Sequence, residues 1–292
     1  MNTQILTKKL NAYMRLMRLN MPIGILLLLW PTLWALWIAS DGVPNTMILL
    51  IFITGTALMR SAGCVLNDIA DRKYDGYVER TKNRPLATGE VSVKEAYLLA
   101  GGLCLLAFTL VLMLNQKTVF LSFAGLFLAA TYPYTKRFLA IPQAYLGVAF
   151  GFGIPMAFAA VNNIIPPIAW ILLAANVFWA IAYDTEYAMV DRGDDIKIGI
   201  QSSALFFGKY DVLAVMISYI TMLGLMVYVG KLKAYGTYYY IGLAAALILV
   251  VWQYQLIKKR VKVDCFNAFL ANNWIGFALF IGLAVQYFLP LN

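Results

Sequence analysis

TMILLIFITGTALMRSAGCVLNDIADRKYD, residues 46–75, joins an apolar run to an acidic cluster with no linker between them. The run 46–66 carries one charge, Arg60, and at about 1.5 Å per helical residue it spans the roughly 30 Å hydrocarbon core of a bilayer. Arg60 lies near the end of its run, where it can snorkel to the interface or face a polar cavity. Asn67, Asp68, Asp71 and Asp75 follow at once. At about 100° per residue, Asp68, Asp71 and Asp75 share one helix face, with Asn67 one turn before Asp71. Carboxylates so spaced repel one another unless something positive lies between them.

Working outward, eight more runs have the length of a span, giving nine: 22–39, 46–66, 96–114, 118–134, 141–161, 164–183, 212–230, 235–257 and 266–289. Composition agrees: 62% of the 292 residues are hydrophobic and 13% charged, against about 45–50% and about 25% in soluble domains. With 18 Tyr, 17 Phe and 7 Trp the chain has too much surface to bury for disorder. The expectation is an all-α integral membrane protein, one domain over 1–292, with nine transmembrane helices. Two loops, 67–95 and 184–211, are much longer than the others, as functional connections are.

Nineteen of the 23 Lys and Arg residues fall on the side of the N-terminus and these long loops, against Lys117, Lys231 and Lys233 opposite. The positive-inside rule then puts the N-terminus in the cytoplasm and the C-terminus outside. No small-residue cleavage site follows Trp37, so the basic arm 1–21 is read as retained. It intersperses Ile5, Leu6, Leu10, Tyr13, Met14 and Met17 with basic residues, as a helix on the membrane surface would. The net charge of +9 therefore points to the lipid bilayer and not to nucleic acid.

His is absent, which removes imidazole as metal ligand or general base, and the three Cys (64, 104, 265) match no zinc or redox spacing. Chemistry must run on carboxylates, basic groups, Tyr and Asn. A second acidic window, DTEYAMVDRGDD (184–195), follows a span ending on the same membrane side as the first. Asp184, Asp191 and Asp195 share a helix face there, whereas Asp194 points elsewhere. Asp-Arg-x-x-Asp occurs at 71–75 and again at 191–195, a weak internal echo. Two oxygen-rich clusters without His or Cys favour Mg²⁺ or Mn²⁺ and could hold a diphosphate between two ions. Basic residues of the loops, Arg72, Arg80, Lys82 and Arg84 and then Lys136 and Arg137 beside Tyr132, complete a candidate phosphate and substrate site. A cation transporter is the competing class, but its sites tend to lie near the bilayer midplane.

NDIADRKYD (67–75) resembles the N-D-x-x-D-x-x-x-D signature of UbiA-type intramembrane prenyltransferases, and YPYTK (132–136) resembles their Y-x-x-x-K motif. DTEYAMVDRGDD resembles their second Asp-rich motif, and the likeness covers nearly the whole chain. RLNMPIGILLLLWPTLWALW (18–37), NRPLATG (83–89) and the stretch around 184–208 resemble, more narrowly, the bacterial branch that prenylates 4-hydroxybenzoate in ubiquinone biosynthesis. The resemblance implies nine helices ringed around a central cavity, with capping helices in the 67–95 and 184–211 loops, in a bacterial inner-membrane enzyme in which Asn67, Asp71, Asp75, Asp191 and Asp195 hold Mg²⁺ ions that bridge a polyprenyl diphosphate. Asp68 and Asp184 support them, and Arg18, Lys136 and Arg137 contact substrate. Asp191 is the expected acid–base group and Arg137 the expected partner of the benzoate carboxylate. Other aromatic acceptors remain open, and no obligate protein partner is inferred.

Overall fold

The computed structural model describes residues 3–289, with side chains from Leu6 onward; the ends of the expected 1–292 unit, 1–2 and 290–292, lie outside the described residues. Among these the regular structure is entirely helical. The helices are α1 (Thr3–Leu16), α2 (Ile23–Ala39), α3 (Thr46–Asp71), α4 (Val93–Val111), α5 (Gln116–Thr135) and α6 (Pro142–Gly151). After them come α7 (Gly153–Asn162), α8 (Pro167–Ile198), α9 (Ser203–Phe207), α10 (Asp211–Leu232), α11 (Thr237–Ile257) and α12 (Lys262–Phe288). Among the described residues eight helical segments are long and apolar enough to cross a membrane, and the chain is a multi-pass membrane protein. The run expected as the first of nine spans is the shorter α2, of 17 residues.

Local chemistry sets the boundaries. Asn45 caps α3 by accepting from the Met47 amide at 2.9 Å, and Ser92 with Glu95 forms a reciprocal capping box on α4. The expected span 141–161 is broken at Phe152, because Pro155 has no N–H for the Gly151 carbonyl and its ring crowds that turn. Elsewhere helices overrun the apolar runs: α3 continues to Asp71 and α8 to Ile198. The acidic clusters are therefore largely helix ends instead of loop residues. Beyond them, 67–95 forms only the single turn Asp75–Tyr77, and 184–211 adds the five-residue α9 and the turn Gly208–Tyr210, so the expected capping helices are slight.

In lipid, helices gain little by hiding apolar surface from one another, so close van der Waals packing carries their association. A Cβ on Gly242 of α11 would lie 2.7 Å from the Gly282 Cα of α12, and one on Gly147 of α6 would lie 2.7 Å from the Val177 Cα of α8. Polar groups in this interior must satisfy one another. Trp179 Nε1 donates to Asn272 Oδ1 (2.9 Å), Asn272 Nδ2 donates to Glu186 Oε2 (2.8 Å), and the Tyr219 hydroxyl donates to Glu186 Oε1 (2.9 Å). These four residues tie α8 to α10 and α12. Asp211, also fully buried, is held by Arg192 and Arg260.

One face of α1, with Ala12 and Leu16, is buried against Val65, Ile69, Val91, Ala96 and Ala100. Lys9 and Tyr13 bond Glu95, and Arg15 bonds Glu90. Leu6, Leu10 and Met14 remain exposed on the opposite face. Limited trypsinolysis should accordingly cleave at Lys8 and Lys9 faster in Glu95→Gln than in wild type at neutral pH; equal rates would show that Glu95 does not hold the arm. Gly282→Leu should separate α11 from α12, cost about 1–3 kcal/mol and lower the melting temperature in detergent. Gly224→Ala, whose added Cβ meets nothing within 4 Å, should not.

Candidate active site

The overrun of α3 and α8 brings the two acidic clusters together. Asp71 and Asp75 from the end of α3 and its following turn, and Asp184, Asp191 and Asp195 along one face of α8, line a single polar pocket of about 120 Å³. Next to it lies a cavity of about 830 Å³, walled mainly by α2–α8 and α12 and lined by Asn67, Asp68 and Arg18 at its polar end. Six side chains line both: Arg80, Arg84, Tyr132, Lys136, Asp184 and Tyr187. Three cations, one carboxylate and two phenols thus stand where a polar chamber meets an apolar one.

Asp68, Asp71, Asp75 and Asp191 are each paired with a cation. Asp68 accepts two bonds from Arg18 Nη2, at 2.8 and 3.0 Å, and is reached by Arg84 Nη1 at 3.0 Å. The same Arg84 nitrogen donates to both Asp75 oxygens at 2.9 and 3.0 Å. Lys136, the C-cap of α5, donates to Asp71 Oδ2 at 3.0 Å and to Asn67 Oδ1 at 3.3 Å. Arg80 Nε donates to the two Asp191 oxygens at 3.1 and 3.2 Å while its guanidinium lies 4.3 Å from the Tyr187 ring centre. Burial raises the Asp75 carboxyl above its ordinary value; Arg84 opposes this, and Asp68 and Asp71 reinforce it. Burial works against the Lys136 charge, but Tyr132 and Asp71 outweigh it and hold the ammonium above its ordinary value.

Among the described residues no three carboxylates form a ready ion cage. The donor set nevertheless suits a hard divalent cation: Asn67, Asp71, Asp75, Asp191 and Asp195 offer oxygen only, and four of the five carboxylates and amide line the polar pocket. Such a cation would compete with Lys136 and Arg80 for the same oxygens.

Not every expected site residue converges. Arg137 lies over Tyr134 and Tyr74, donates to the Ala70 carbonyl at 3.0 Å and lines neither chamber. One position past Lys136, its side chain leaves on the outer side of the α5 terminus. Arg72 is exposed and also lines neither chamber. In the Asp-Arg-x-x-Asp echo only the carboxylates therefore correspond, since Arg192 serves Asp211. Asp194 pairs with Lys197, outside both chambers, as its helix phase requires. Glu186, within the second acidic window, faces Tyr219 and Asn272 instead of the pocket. Tyr183 and Tyr187 had no sequence signal beyond their position beside Asp184. Arg60 did have one, a charge inside an apolar run, and it lines the larger cavity with its guanidinium 5.6 Å from the Phe150 ring centre.

The sequence matches the UbiA prenyltransferase family over residues 28–281. A protein from Azoarcus sp. (strain BH72) named 4-hydroxybenzoate octaprenyltransferase is 61% identical over 282 residues, covering 97% of this chain and 98% of its own. Two solved structures share the fold. A UbiA homologue from Aeropyrum pernix K1 superimposes with a TM-score of 0.78 at 23% identity, over 89% of this chain and 97% of that one. A UbiA homologue from Archaeoglobus fulgidus bound to DMAPP and Mg²⁺ gives 0.68 at 19% identity, over 92% and 98%. The chain belongs to the UbiA prenyltransferase family.

Mg²⁺ added to the purified protein should raise its melting temperature, and Asp71→Ala and Asp195→Ala should each abolish the increment. An increment that survives in both variants would place the cation elsewhere.

Proposed function

We propose that the chain transfers a long polyprenyl group from its diphosphate to 4-hydroxybenzoate, at the ring carbon ortho to the hydroxyl, giving 3-polyprenyl-4-hydroxybenzoate and diphosphate in ubiquinone biosynthesis. Its named relative is an octaprenyltransferase. The observation that carries the reading is the shared wall of six side chains between an acidic, cation-rich pocket and a large apolar cavity. An allylic diphosphate has this same division, with charge at one end, hydrocarbon at the other and the scissile C–O bond at the boundary.

Asn67, Asp71, Asp75, Asp191 and Asp195 would hold Mg²⁺, which when bound neutralises diphosphate charge. Lys136, Arg80 and Arg84 stand at the boundary to take up the negative charge that grows on the leaving group as the C–O bond breaks. Tyr132 and Tyr187 present aromatic groups to the allylic cation left behind. Phe108, Phe123, Phe150 and Phe269 help line a space that keeps water from it. The ring carbon attacks, and its proton passes to a carboxylate. Asp191 lines only the polar pocket and is engaged by Arg80, whereas Asp184 lines both chambers, so Asp184 is the better placed acceptor. By the same argument Arg60, which faces the cavity, replaces Arg137 as partner of the benzoate carboxylate.

The rest of the reading follows the charge pattern and the family. The single unit crosses a bacterial inner membrane nine times, α2 being the shortest crossing. Its arm 1–21 lies on the cytoplasmic surface, the segments 67–95 and 184–211 cap the site on that side, and the C-terminus is periplasmic.

Membranes containing the protein, given a polyprenyl diphosphate, labelled 4-hydroxybenzoate and Mg²⁺, should form labelled lipid, and EDTA should stop it. Asp71→Ala and Asp191→Ala should each reduce the rate by about 100-fold or more. Labelled lipid that forms despite EDTA, or in both variants at wild-type rate, would refute the assignment. Arg60→Ala should raise the KM for 4-hydroxybenzoate more than Arg137→Ala does; the reverse order would return the role to Arg137.

A further inference from the structure

Among the described residues, eight buried side-chain nitrogen and oxygen atoms have no hydrogen-bond partner. Two of them, Arg60 Nε and the Tyr183 hydroxyl, belong to residues that line the larger cavity. Tyr183 is 1% exposed, and its ring is fixed edge-on to Trp179 (centroids 5.5 Å apart) and against Phe269 (6.2 Å). Its neighbour Asp184 stands at the boundary of the two chambers. An unpaired hydroxyl at this depth costs about 1–3 kcal/mol unless something in the cavity accepts its proton.

We infer that the Tyr183 hydroxyl is a specificity-determining group that donates a hydrogen bond, alongside Arg60, to the carboxylate of the aromatic acceptor. This rests on the acceptor being an aromatic acid, as proposed above. Both orphaned groups offer protons: a guanidinium has no acceptor, and a phenol facing an anion donates. Two donors from residues that line one cavity match a ligand group with two acceptor oxygens and a negative charge. A phenolic hydroxyl on the acceptor would satisfy only one of them. The aromatic and aliphatic lining around the pair suits the ring that carries the carboxylate.

Tyr183→Phe removes only the hydroxyl and keeps the ring against Trp179 and Phe269. Two competitive inhibitors of 4-hydroxybenzoate prenylation separate the possibilities: benzoate keeps the carboxylate, and 4-methylphenol keeps the hydroxyl. The variant should bind benzoate about tenfold more weakly or worse, as for a lost hydrogen bond to a charged group. It should bind 4-methylphenol unchanged, raise the KM for 4-hydroxybenzoate by a similar factor, and leave the KM for the polyprenyl diphosphate as it was. Its melting temperature without ligand should not fall, because the hydroxyl has no partner to lose. Equal loss for both inhibitors, loss for 4-methylphenol alone, no loss for either, or a lower melting temperature would overturn the assignment. Wild-type protein that makes no prenylated 4-hydroxybenzoate would instead remove the underlying reading, and this inference with it.

Discussion

The three carboxylates buried at the end of α3 and its following turn, Asp68, Asp71 and Asp75, are each answered by a cation, and the architecture around this site follows from that requirement. Asp68 is fully buried, and its two partners come from opposite directions in the chain, Arg18 before α2 and Arg84 between α3 and α4. Arg84 also serves Asp75, so one guanidinium closes the turn after α3 onto the helix it has just left. Lys136 links α5 to α3, and Arg80 links the segment after α3 to α8. The ion pairs that make the acidic clusters tolerable are therefore the bonds that assemble the pocket. The same solution recurs away from it, where Asp211 joins Arg192 of α8 to Arg260 before α12.

Such pairs are not permanent fixtures. A desolvated pair gains little net energy, since the cost of removing two charges from water roughly offsets their attraction. A divalent ion taking up these carboxylates would displace Lys136, Arg80 or Arg84 from the same oxygens and free those cations for a phosphate. The buried network of Glu186, Tyr219, Asn272 and Trp179 holds α8 in place meanwhile.

Much of this could be read from residue order. The apolar runs and the face shared by Asp184, Asp191 and Asp195 follow from helical periodicity, which is local. What escaped reading depends on where a helix stops and how it is rotated. An apolar run ends where polar residues begin, yet α3 and α8 continue because their carboxylates find inward partners, so clusters expected in loops are helical. Lys136 and Arg137 are adjacent, but the α5 terminus turns one into the pocket and the other onto Tyr134. Arg72 and Arg192 occupy equal places in the echoed motif and go to unlike surroundings because the helices leave different neighbours beside them. Tyr183 is conspicuous only once its hydroxyl is seen to lack a partner.

The two chambers touch along six side chains and have opposite characters. The proposed transfer, run across that wall, would make one product that dissolves in water and one that dissolves in lipid, each formed against the chamber that matches it. Neither has to pass through the other's compartment. Solubility itself would then sort the traffic, and a fresh donor could seat its diphosphate only once the previous one had left the polar pocket.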